Sequence, residues 1–386
     1  MSSIPASAGW KDLFEASLAV EPPMGPEALA NVPARRGVFL LAAEGDQPVL
    51  LLTAANMRAV LSGRLAAPPE GPSRRADLRQ TVRGVYWRLA DSHFEMDWRF
   101  LTAARGVYPR THGELVGRRP AWFVYVDPAE DLPGFRRSRE VASRRGEYFG
   151  PFPDGRSAGR FADILTDVFD LCRCERALRR RAGRAACVYR EMGRCSAPCE
   201  DPAGMADYRR GIERACRLAA GDRRATAETL AERMRLLAGE RRYEEAAAVK
   251  GKLVRLEELL TEAFRYVGPA GQFRYLLVQS GPTRRKAKAF FVDRGDIAEG
   301  GSLDYPLVPE QVAGVLAGMA AFASAERTVG PRQREGIALV SQYLFAAPAR
   351  QGLAIHFDET LEADAISAAI ESAAERLRLR APKGRA

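Results

Sequence analysis

Two apolar runs, GVFLLAA (37–43) and PVLLLTA (48–54), flank the polar stretch Glu44-Gly45-Asp46-Gln47, a pattern that predicts a β-hairpin. NMRAVLSGRL (56–65) has helical spacing, and RGVYWRLA (83–90) reads as a third strand. FEMDWRFLTAARG (94–106) predicts a helix closed by Gly106, and AWFVYVD (121–127) another strand. Together they suggest a small α/β unit over 35–127, preceded by an Ala/Pro-rich extension or linker, 1–34. FADILTDVFDL (161–171) predicts a short helix inside a basic, cysteine-bearing segment, 128–204. In 205–263 the apolar positions recur three and four apart, with a break at Gly239-Glu240-Arg241, which predicts a helical hairpin. From 264 to 386 the texture becomes a strand meander, FRYLLVQS (273–280) and KAKAFFVDRGDIAEG (286–300). Helices at 308–322 and 361–379 and a strand at LAIHF follow. The expected fold class is a multidomain α/β and α+β protein with a C-terminal α+β domain.

The 386 residues are 46% hydrophobic and 28% charged, which fits a folded globular chain with roughly two or three domains. No stretch approaches the roughly 20 apolar residues of a membrane helix. The N-terminus lacks a basic region followed by an apolar run, so a cytoplasmic protein with no membrane partner is expected. The net charge is +10, and nearly all of the basic excess is Arg. Between Arg136 and Arg194 there are 15 Arg against 8 acids, a local +7. Clustered positive charge is what a phosphate backbone selects, although an Arg-rich composition also follows from GC-rich coding.

Five of the six cysteines fall between Cys172 and Cys199. A disulfide framework is unusual in a cytosolic chain of this size, whereas a dense cluster suits a metal site. Thiolates gathered by loops hold either a 4Fe–4S cluster or tetrahedral zinc, and spacing does not choose between them. Small core cysteines are the plain alternative.

Three strings lie in the order and spacing of one family. EYFGPFPDGRSAGRFADILTDVFDLCRC (147–174), RAACVYREMGRCSAPC (184–199) and YEEAAAVKGKL (243–253) resemble the UvrC family, a component of the UvrABC excinuclease of nucleotide excision repair. The resemblance runs over about 35–265. It implies that the first unit is a GIY-YIG nuclease-like domain, and it implies Cys174, Cys187, Cys195 and Cys199 as ligands of a 4Fe–4S cluster, with Cys172 a bystander. Zinc is the alternative metal. The resemblance also makes the hairpin a UVR motif for a UvrB-like partner, with Tyr243, Glu244, Ala246, Ala247, Lys250 and Leu253 in the contact. Leu230, Met234, Leu237 and Val249 would join Leu253 in its apolar stripe, and Tyr243 would be the anchor.

The departures from the family are as informative. Where the family places its two tyrosines, its arginine and its metal-binding glutamate, this chain has Phe39, Leu50, Val60 and Phe100. Metal-assisted phosphodiester hydrolysis needs a carboxylate for the ion, a hydroxyl near the water and a cation for the phosphate. None of those four side chains supplies one. A slip in the alignment would bring in Arg58, Arg64, Glu95 or Asp97 instead. The Asp-x-Ser-His segment of the family's RNase H-like endonuclease is missing from this sequence, as is its Gly-rich helix-hairpin-helix pair. His356 reads as structural. The expectation is a repair protein that binds DNA through Arg136, Arg137, Arg139, Arg144 and Arg145, and binds a UvrB-like partner, without cutting. The alternatives are a single-incision nuclease, which would require Mg²⁺, and a partner-only adapter.

Overall fold

A computed structural model describes residues 9–21, 26–65, 78–117, 120–141, 145–173, 188–195, 197–198, 204–323 and 329–380. The first sheet contains β1 (Ala16–Ala19), β2 (Gly37–Ala42), β3 (Pro48–Ala54) and β4 (Gly84–Leu89), in the order β1-β4-β2-β3, all antiparallel. Every residue of β2 is buried. Its near-continuous apolar run therefore marks a central strand covered on both faces. On one face, Phe39 and Leu41 pack with Met57 and Leu61 of α1 (Met57–Arg64) and with Leu29 and Val32. On the other, Val38 and Leu40 pack with Ala103 and Ala104 of α2 (His93–Val107). Asn56 caps α1 by accepting the Ala59 N–H at 3.1 Å, and Ser92 caps α2 by accepting the Glu95 N–H at 3.0 Å. A short α3 (His112–Val116) follows.

Two boundaries differ from the sequence reading. The segment that reads as an extension contributes β1, which pairs with β4 from Ala16–Trp87 to Ala19–Gly84, and Trp10 and Phe14 pack against Tyr86. Its Ala/Pro-rich composition hides a four-residue strand that is stable only because β4 offers an open edge. The strand β5 (Trp122–Val126) leaves the first unit altogether. It joins β6 (Arg136–Ser138), β7 (Glu147–Phe152) and β8 (Gly268–Pro269) in a second sheet, ordered β6-β5-β7-β8. Apolar alternation marks a strand but not its partners.

The helix α4 (Gly155–Val168) covers this second sheet, and the rings of Phe152, Phe161 and Phe264 meet at its centre. Beyond it come α5 (Val188–Glu191), α6 (Met205–Ala219) and the antiparallel pair α7 (Arg223–Gly239) and α8 (Tyr243–Glu257). Arg241 has a left-handed backbone, φ +61°, at the predicted break.

The third sheet has β9 (Arg274–Ser280), β10 (Lys286–Asp293), β11 (Asp296–Asp304) and β12 (Leu353–His356), in the order β11-β10-β9-β12. The helices α9 (Pro309–Ala323), α10 (Pro331–Leu344) and α11 (Pro348–Gln351) precede β12, and α12 (Ala363–Ser372) follows it. α9 and α12 share one core with the sheet and α10 another. A Cβ on Gly336 of α10 would lie 1.8 Å from the Gly295 carbonyl oxygen, so the helix sits directly on the β10–β11 turn. The sequence reading assigns no element to the stretch that forms α10. No helix among the described residues is long and apolar enough to cross a membrane.

Candidate functional site

The positions aligned with the nuclease chemistry do not converge. Phe39 is fully buried, and Leu50 and Val60 pack half-buried against the same cluster on one face of the first sheet. Phe100 packs on the opposite face with Val38, Leu40 and Leu51. Strand alternation enforces this split, since neighbouring residues of β2 point to opposite sides.

The acids that an alignment slip would recruit are already occupied. Glu95 is 1% exposed. It accepts the Asp91 N–H at 2.8 Å and the Lys288 ammonium at 2.9 Å. Lys288 also reaches Asp91 at 2.7 Å. Burial pulls the Lys288 ammonium down, but the two carboxylates outweigh it and hold its pKa above the usual lysine value. Asp97 accepts the Tyr343 hydroxyl at 2.8 Å. Farther along α2, Arg99 meets Glu299 at 2.5 Å and Arg105 meets Glu335 at 2.7 Å. The polar side of α2 therefore faces the C-terminal domain, while its Met96–Phe100–Ala104 side faces the first sheet. Of the two arginines, Arg58 binds the Val32 and Ala30 carbonyls at 2.7 and 2.8 Å.

Of the cysteine quartet, Cys174, Cys187 and Cys199 lie outside the described residues. Cys195 lies within them and is buried. Its sulfur accepts the Ala197 N–H at 3.4 Å, where a left-handed Ala197, φ +54°, turns the chain back. The Cys172 thiol hydrogen-bonds to it, and with the Ala197 N–H and the Arg173 charge this brings the Cys195 thiol down to about 6. Such a thiol fits a soft-metal ligand, whether iron–sulfur or zinc. Among the described residues no three His, Cys, Asp or Glu side chains form a metal-sized group. Cys216, on α6, is a core thiol that burial pushes up to about 12.

The hairpin has an inner seam and an outer face. Leu237, Ala246 and Val249 are buried between α7 and α8, with Leu230 and Met234 packed against them. Ala246 and most of the expected stripe thus hold the hairpin together. Tyr243 is 66% exposed and Leu236 64%, and Glu244, Ala247 and Lys250 are exposed beside them, while Leu253 is half-buried. At the base, Arg255 pairs with Asp167 at 2.6 Å, Lys252 with Asp170 at 2.5 Å, and Arg160 with Glu258 at 2.9 Å. The tip remains in solvent.

The basic surface is uneven. Arg136 is held by Glu130 in a bidentate pair at 3.1 and 2.6 Å, so its charge is matched locally. Arg137 and Arg139 are exposed at and beside the edge strand β6, and Arg139 stacks over Trp122 at 4.3 Å. Arg145 is also exposed, and Arg144 lies outside the described residues. A second basic surface escapes the sequence count. A cleft of about 1100 Å³ between the hairpin, α5 and α6 is lined by Arg194, Arg214 and Arg217, which have no ion pair among the described residues. Of its four acids, Asp167, Asp170 and Glu245 are paired internally, and Asp222 is the fourth. Helical spacing on α6 places Arg214 and Arg217 on one side, a signal that a running charge count does not weigh.

Residues 121–218, from β5 into the end of α6, match the family model of the UvrC/Cho excinuclease middle domain. By sequence this segment is similar to the middle domain of UvrC-type proteins. Over 59–72% of its length the chain is similar to curated proteins named UvrABC system protein C. It is 22% identical over 234 residues to the UvrABC system protein C of Caldanaerobacter subterraneus subsp. tengcongensis, covering 60% of this chain and 38% of that protein. With the Thermobifida fusca protein of that name the identity is 22% over 282 residues, 72% of this chain and 43% of that one. With the Colwellia psychrerythraea protein it is 33% over 115 residues, 30% and 18% respectively. The chain thus spans less than half the length of these curated relatives. No solved structure matches it.

Proposed function

We propose that the protein acts in nucleotide excision repair by binding DNA and a UvrB-like partner, and that its nuclease-like unit does not cut. One observation carries the reading. The positions for the chemistry are filled by Phe39, Leu50, Val60 and Phe100, and the nearest carboxylates, Glu95 and Asp97, are spent on Lys288 and Tyr343. A divalent ion needs oxygen ligands, and α2 offers it none on the sheet side.

The exposed Arg137, Arg139 and Arg145, with the cleft arginines, support contact with a phosphate backbone, and Trp122 beside Arg139 adds an aromatic face. The exposed Tyr243 and Leu236 support docking of a partner at the hairpin tip. When bound, an iron–sulfur cluster or zinc ion would brace the cysteine segment as a structural clamp. Cys195 would be among its holders, together with Cys174, Cys187 and Cys199.

The test is a combined gel-shift and cleavage assay on nicked and lesion-bearing duplexes with Mg²⁺ or Mn²⁺, with and without a UvrB-like partner. Salt-sensitive binding without cuts is expected. Metal-dependent cuts that disappear in Glu95→Gln or Asp97→Asn would overturn the reading in favour of a nuclease.

A further inference from the structure

Two walls of different make enclose the cleft of about 1100 Å³ beside the helical hairpin. One wall is α6 with the turn after α5. Tyr208, Ile212, Ala215 and Cys216 hold one side of α6 in the core. Arg214 and Arg217, three residues apart, therefore stand together on its exposed side and line the cleft. Arg194 lines it from a turn in which Gly193 is left-handed, φ +65°, and the Arg194 N–H donates to the Tyr189 carbonyl at 2.8 Å. The other wall is the hairpin. Leu230, Leu237 and Val249 give it an apolar floor, which half-buried Phe169 extends and Arg233 flanks.

The charges of the two walls do not balance. Asp167 takes Arg173 and Arg255, and Asp170 takes Lys252. Glu245 is held by Arg242. Arg194, Arg214, Arg217 and Arg233 have no ion pair among the described residues, and Asp222 is the one remaining acid of the described lining. Four guanidinium forks against one carboxylate select an anion of repeated charge, and phosphate oxygens match such forks. The apolar floor selects flat apolar faces at the same time. A duplex keeps its base faces stacked inside, whereas a single strand presents phosphates and unstacked bases together. Size points the same way. The cleft is near the upper end of the roughly 300–1,000 Å³ that hold a drug-sized ligand. It takes a few nucleotide units of one strand, not the girth of a duplex, whose major groove alone is about 12 Å wide.

We infer that this cleft is a binding site for a short stretch of single-stranded DNA, with Arg194, Arg214, Arg217 and Arg233 on its phosphates and the hairpin floor under its bases. The inference deepens the DNA-binding reading given above and rests on it. Duplex is left to the edge strand β6, where Arg137 and Arg139 are exposed.

The experiment is fluorescence anisotropy on the full chain over a salt series, with a labelled oligothymidylate of about 12 nucleotides and a labelled blunt duplex as probes. The variants are Arg214→Ala/Arg217→Ala, Gly251→Glu and, for β6, Arg137→Ala/Arg139→Ala. Gly251 lines the cleft and a Cβ there meets nothing within 4 Å, so the glutamate adds an anion to the wall without disturbing the packing. Its melting temperature should match that of the wild type. Arg214→Ala/Arg217→Ala is expected to lower the single-strand salt slope by about 1.4, at about 0.7 per lost phosphate contact. Gly251→Glu should weaken single-strand binding about fivefold. Duplex binding should respond to Arg137→Ala/Arg139→Ala and to neither cleft variant. Single-strand binding that ignores both cleft variants, or cleft variants that weaken duplex equally, overturns the assignment while DNA binding stands. Oligoglutamate bound through Arg214 and Arg217 by a chain that ignores oligothymidylate assigns the cleft to an acidic peptide and also overturns it. A chain that binds neither DNA probe overturns both readings.

Discussion

Glu95 shows how much a single side chain decides here. By sequence it is a candidate metal ligand, three residues after the cap of the right helix. In the structure it is buried against Lys288, a residue almost two hundred positions away. Glu95→Ala removes one of two carboxylates from an ammonium whose side chain is only 16% exposed. The expected loss is about 2–3 kcal/mol, as for a hydrogen bond to a charged group, read from the denaturant midpoint. The pH dependence follows from the direction of the Lys288 shift. Its folded pKa lies above the ordinary lysine value of 10.5, so the stabilisation is complete below that pH. It is lost as pH rises beyond it. The stability difference between wild type and Lys288→Met should be constant from neutral pH to about 10 and shrink in more alkaline buffer. A difference that shrinks already near neutral pH would mean that Lys288 does not carry it.

At the scale of elements, the helical hairpin separates packing from recognition. Its apolar pattern is legible in sequence because Leu230, Met234, Leu237 and Val249 recur at helical spacing. Which of these positions face inward is settled only by the pairing of α7 with α8. Leu237→Ala opens the buried seam and should cost about 2–4 kcal/mol, as large-to-small core changes do. Tyr243→Ala touches nothing buried and should leave the melting temperature nearly unchanged. If the tip is a docking anchor, the same variant should weaken binding to a UvrB-like partner by about 2 kcal/mol, roughly thirtyfold, in calorimetry. Loss of stability without loss of affinity in Tyr243→Ala would reverse these roles. The basic surface divides similarly along β6. Exposed Arg137 and Arg139 should each contribute about one unit to the salt slope of DNA binding, and their double alanine variant should lower it by about 2. Arg136, held by Glu130, should contribute less.

Over the whole molecule, three antiparallel sheets meet around α2. Its Phe94 and Leu101 share a core with Phe123 of β5 and with Phe290, Ile337 and Tyr343 of the C-terminal domain. This helix is the strut between the first unit and the third. Periodicity alone identifies β2 to β5, β9 to β12 and the hairpin helices, because alternation and three-to-four spacing are local consequences of burying one face; β1, β6, β7 and β8 carry no such signal. Motif order places the chain near its family, because the YFGPFP and GRCSAPC strings are short and specific. Residue type is enough to show that Phe39, Leu50, Val60 and Phe100 carry no catalytic groups, since the chemistry of a side chain travels with its identity. Other features exist only in the folded chain. Long-range packing moves β5 into the middle sheet, lays the N-terminal segment on β4, turns Glu95 toward Lys288 and sets Cys172 against Cys195. Each of these depends on which surfaces meet across long stretches of chain. Such meetings are set by the summed burial of many residues, and no local pattern carries that sum.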